Sequence, residues 1–75
     1  MRFDLPRQGP VWLRVHDVSG RLVRTLLSGA TLPAGTRALR WDGKGEGGQT
    51  LASGIYLLRL EALGLVQVQR AVLVR

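Results

Sequence analysis

Sixteen residues, Trp41 to Tyr56, constrain this chain more than any other stretch. Five glycines (43, 45, 47, 48 and 54) crowd between two aromatic residues, and no apolar run inside is long enough for an element of its own. Glycine accepts positive φ, so this density predicts a tightly turned loop rather than a helix. An aromatic at each end predicts that the flanking strands are pinned into one core while the loop stays outside. Trp41 and Tyr56 are therefore expected to cap that core.

The rest of the chain reads as strands. Arg2 to Leu5 is a short extended segment stopped by Pro6, which has no ladder donor. Val11, Leu13 and Val15 alternate with Trp12, Arg14 and His16, the period of a half-buried strand. Asp17-Val18-Ser19-Gly20 makes a hairpin turn into a second strand, Arg21 to Leu27. Ser28 to Gly35 reads as a loop and Thr36 to Trp41 as a strand. Leu51 and Ala52 read as a brief edge segment. Ile55 to Ala62 places Tyr56, Leu58 and Leu60 on one face. After the Leu63-Gly64 turn, Leu65 to Val74 puts Val66, Val68, Val72 and Val74 on a shared face that Arg70 interrupts. The expected core is Leu13, Val15, Leu39, Trp41, Tyr56, Leu58, Leu60, Val72 and Val74.

No segment longer than a turn shows helical spacing, and short strands with Gly and Pro punctuation predict an all-β sandwich or small barrel. Seventy-five residues make one domain, 1–75, close to the smallest that one core can hold together. A hydrophobic share of 45% argues for a folded globule. Without cysteine there is neither a disulfide framework nor a zinc-thiolate site. Met1 to Pro6 lacks the apolar core of a secretory signal, and no stretch is long enough for a membrane span.

The sharper chemical readings fare poorly. Gly43, Gly45 and Gly48 match a dinucleotide-binding fingerprint, which requires a helix next, whereas here a strand comes next. Asp42 and Glu46 offer carboxylates to calcium, but two acids fall short of its ligand count, and Asp42-Gly43 reads as a turn. Hydrolysis needs a nucleophile, a base and an orienting group. The single histidine, His16, stands on the outward strand face, and Ser19, Ser28 and Ser53 are turn serines. No catalytic, cofactor-binding or metal-binding residues are expected, and the chain is not expected to be an enzyme.

Five segments resemble, in order, the FlgD-type immunoglobulin-like domains. They are Phe3-Asp4-Leu5-Pro6, Val15 to Val23, Trp41-Asp42-Gly43, Ser53-Gly54-Ile55-Tyr56 and Ala71 to Arg75. The pattern is also similar to the sorting domains of the type IX secretion system. The resemblance implies an immunoglobulin-like β-sandwich of about seven short antiparallel strands. It further implies a non-catalytic structural or assembly module, a C-terminal domain of an exported or cell-surface bacterial protein acting in association, anchoring or secretion. Two departures stand out. His16 occupies a position usually held by Tyr, and Gln69-Arg70-Ala71 replaces a more basic, Met-containing segment.

Candidate contact residues come from the outward strand positions. Trp12 with Arg14 and His16 forms one surface for another domain or subunit, since Trp and Arg are enriched at interface hot spots. The alternative is that a neighbouring strand simply covers Trp12. A formal charge of +6, with ten arginines among eleven cations, raises a second function, a polyanion-binding module using Arg14, Arg24, Arg40 and Arg59. The arginines form no run, which argues against nucleic acid. Carbohydrate stacking on Trp12 would lack a second aromatic. Expected partners are other protein domains, or a second copy through open sheet edges.

Overall fold

A computed structural model describes residues 1–74; Arg75, the end of the expected domain and of the last motif, lies outside the described residues. The elements are β1 (Arg2–Leu5), β2 (Gly9–Asp17), β3 (Leu22–Leu32), β4 (Gly35–Ala38), β5 (Gly54–Ala62) and β6 (Leu65–Leu73). All are antiparallel. Four strands form one sheet in the order β3-β2-β5-β6, and β1 pairs with β4 in a second. The fold is an all-β sandwich of six strands where about seven are expected. The difference is Leu51–Ala52, which makes no strand; the loop is instead pinched by a single Lys44–Thr50 bridge.

The core lies between the sheets, and among the described residues its buried apolar side chains come from three strands. Phe3 and Leu5 of β1, Val11, Leu13 and Val15 of β2, and Tyr56, Leu58 and Leu60 of β5 are buried. Register explains the set: Leu13 lies opposite Leu60 and Val15 opposite Leu58, so the central pair aims one continuous apolar face at β1.

Three expectations need correction. Ser28 to Leu32 is not a loop but the second half of β3, paired with β2 as far as Gly9–Leu32. Gly29, with φ 75°, lies where the register shifts between Val11 and Trp12. A left-handed residue there inserts a bulge and lets the strand continue, so this glycine does not end it. Second, β4 stops at Ala38. Leu39 still donates its N–H to the Met1 carbonyl at 2.7 Å, but Arg40 and Trp41 leave the sheet, and Leu39 and Trp41 pack half-buried at the core margin.

Third, Val72 and Val74 are not core; they are 62% and 87% exposed. Tyr56 pairs with Ala71 and Ile55 with Val72, so the valines of β6 take the outer face. The period of a strand says only that they share a face, while pairing decides which one. The β5–β6 turn has positive φ at both Leu63 (53°) and Gly64 (74°), as a type I′ turn requires.

Candidate functional site

Alternation along β2 and β5 builds the outer face of the four-stranded sheet. Trp12, Arg14 and His16 stand across from Glu61, Arg59 and Leu57 in register. The structure thus brings four of the six sequence-derived contact residues together: Trp12, Arg14, His16 and Arg59. Trp12 is half-buried, its indole laid over Gly29, where an added Cβ would sit 3.5 Å from the ring. The bulge in β3 is therefore what covers this tryptophan.

Glu61 collects the cations of this face. It lies 3.5 Å from the Arg14 guanidinium and 3.6 Å from that of Arg59. Half-exposed pairs of this kind contribute at most about 1 kcal/mol each. His16 borders a shallow depression with Gly20, Leu57, Arg59 and Val68.

Arg24 and Arg40 lie apart from that face. Arg24 staples the glycine loop: its guanidinium donates to Asp42 Oδ1 at 3.1 Å and to the carbonyls of Lys44 and Gly45 at 3.1 and 3.4 Å. Arg40 is exposed in the segment after β4. The four arginines of the polyanion reading do not converge on one groove.

The glycine loop has a structural role instead. Asp42 Oδ1 accepts the Lys44 N–H at 3.0 Å, a turn in which the side chain replaces a backbone carbonyl. That bond, reinforced by the nearby Arg24 charge, holds the Asp42 carboxyl below its ordinary pKa. Glu46 turns the other way, accepting the Thr25 N–H at 2.7 Å while its own N–H reaches the Val23 carbonyl at 3.1 Å. The two carboxylates are thus committed to different donors. The loop leads into strand β5, with no helix N-terminus to receive a phosphate.

At the β2–β3 hairpin, Asp17 Oδ1 accepts the Ser19 hydroxyl at 2.7 Å and the N–H groups of Arg21 and Ser19 at 2.9 and 3.0 Å. The serine hydroxyl is the main cause of its lowered pKa, followed by the Arg21 amide.

Sequence reasoning placed the valines of β6 inside and so missed an exposed patch. Ile55, Val66, Val68 and Val72 all lie on this same outer face, with Arg70 among the valines. The Arg70 interruption was the available signal, since an arginine in a valine row marks the row as outward.

Two small sheets of this size, register and core define an immunoglobulin-like β-sandwich. The chain belongs to the FlgD Ig-like domain family, whose sequence model matches residues 2–64. Its fold is similar to the crystal structure of FLGD from P. aeruginosa, with a TM-score of 0.70 and 27% sequence identity. The match covers 92% of this chain and 56% of that one, so the chain spans little more than half the length of that relative. No curated protein matches.

Proposed function

We propose that this chain is a non-catalytic structural and assembly module, acting as one domain of a larger exported or cell-surface bacterial protein and binding other protein domains. Membership of the FlgD Ig-like family over residues 2–64 carries the reading. The chemistry of the chain supports it. Each of its five acidic side chains is engaged inside the fold: Asp4 by Thr36, Asp17 by Ser19 and Arg21, Asp42 by Arg24, Glu46 by Thr25, and Glu61 by Arg14 and Arg59. Groups engaged in this way hold turns and strand edges in place.

Deleting residues 1–75 from the gene that carries them, in the bacterium of origin, tests the role. The expected result is that the remaining protein stays inside the cell or fails to join its assembly, as read by fractionation and native gels. Unchanged export and assembly would overturn it.

A further inference from the structure

The two edges of the four-stranded sheet are treated differently. The β3 edge is covered at its start by the glycine loop, through the Glu46 N–H on the Val23 carbonyl and the Glu46 carboxylate on the Thr25 N–H, and is broken by three register shifts along its length. Nothing among the described residues covers β6 in the same way. At nine residues it is as long as β2 and β5, and it pairs with β5 without a register shift. Proteins usually protect an edge by shortening it, bulging it, or placing Pro or charged side chains on it. Leu65-Val66-Gln67-Val68-Gln69-Arg70-Ala71-Val72-Leu73 has no bulge and no Pro, and Arg70 is its one charge.

Leu65 to Arg70 of β6 are open on both faces as well, while Ala71 and Leu73 pack half-buried against the core. The second sheet has only two short strands, so it roofs β2 and β5 and stops short of the first part of β6. Leu65, Gln67 and Gln69 point to the core side yet are exposed. A cavity of about 60 Å³ opens there between Leu5 and Pro6 on one side and Leu63 and Leu65 on the other. On the outer side the exposed valines flank Arg70, whose guanidinium has no acid among the described residues.

We infer that the free edge of β6 is a docking site for an extended, acidic strand of a protein partner, which adds to the sheet as a fifth strand. The inference rests on the assembly reading above. Main-chain hydrogen bonds along the edge supply affinity, and alternate side chains supply selectivity. On the core side, the partner places an apolar residue at the cavity mouth beside Leu65. On the outer side it brings a carboxylate to Arg70. Charge selects this occupant over a second copy: each copy carries +6, and joining two β6 edges would set both Arg70 side chains on one face of a single seam.

The test titrates the isotope-labelled chain, followed by NMR, with a synthetic peptide as long as β6 that alternates valine with glutamate. Two controls accompany it, the same peptide with lysine for glutamate and one with alternate amides N-methylated. Shift changes concentrated on Leu65 to Leu73 are expected. Affinity should fall about tenfold or more for the N-methylated peptide, which cannot complete the ladder. The lysine peptide should bind more weakly still. Arg70→Gln should weaken the glutamate peptide roughly threefold while leaving the melting temperature in place.

Absence of binding, indifference to N-methylation, or shifts centred on Trp12 and Arg14 would each overturn the edge proposal. So would a peptide-free dimer by light scattering with protected β6 amides, which would make a second copy the occupant. Failure here leaves the assembly reading intact, because the deletion experiment does not depend on which surface is used.

Discussion

Trp41 and Tyr56 meet edge to face across the base of the glycine loop, ring centroids 5.3 Å apart and planes inclined by 65°. Each ring also fastens the loop backbone. The Trp41 indole N–H donates to the Lys44 carbonyl at 2.9 Å, and the Tyr56 hydroxyl donates to the Ala52 carbonyl at 2.7 Å. The pair joins the loop to the core through Tyr56, which is buried.

Replacing Trp41 with alanine removes the ring contact, the indole bond and half a buried aromatic. The expected loss is about 2–3 kcal/mol, below the full cost for a wholly buried tryptophan. In a domain of this size the melting temperature should drop by roughly 10–20 °C. Calorimetry showing an unchanged transition would disprove the contact's role.

Gly29→Val tests the bulge. A β-branched residue at φ 75° is strained, and its Cβ already touches the Trp12 ring at 3.5 Å, so its two γ-methyls press on the indole's seat. A loss of about 2 kcal/mol in urea unfolding is expected, with Trp12 fluorescence shifted toward that of exposed indole.

Glu46→Ala should unprotect the β3 edge while leaving the core alone. It removes the acceptor of the Thr25 N–H, at a cost of about 1 kcal/mol. Hydrogen exchange at Thr25 should accelerate while that at Leu13 and Leu58 follows only the small global change. Equal acceleration at all three amides would mean that the loop contributes to the fold as a whole.

Acid should destabilise the domain through Asp17 and Asp42, both held below their ordinary value of 3.8. Each folded carboxyl titrates lower than its unfolded counterpart, so its contribution is complete above the unfolded pKa. It is then lost as pH falls through the folded value. Urea midpoints should be flat above about pH 5 and decline from about pH 4 downward. The Asp17→Asn, Asp42→Asn double variant should start less stable and lose less on acidification. A parallel decline in both proteins would assign the acid sensitivity to other groups.

Much of this fold is legible in the residues themselves. Alternation at Val11, Leu13 and Val15, and again at Tyr56, Leu58 and Leu60, identifies the two central strands and their inward faces, because a sheet buried on one side imposes a two-residue period. Asp17 to Gly20 and the glycines after Trp41 mark turns through local chemistry, a side chain or a positive φ standing in for tertiary contacts. The outward set Trp12, Arg14, His16 and Arg59 comes from the same alternation, and the structure gathers these four on one face.

The residues could not decide anything that depends on a neighbour. Gly29 reads as a loop breaker until β2 lies alongside and turns it into a bulge. The valines of β6 share a face by periodicity, but only pairing with β5 turns that face outward. Arg24 looks like one more surface cation until the glycine loop folds back onto it. The spacing of strands and turns along the chain determined that it would be a small all-β sandwich or barrel. Tertiary pairing alone decided which edge is covered and which is left free, because an edge strand differs from a central one only in what lies beside it.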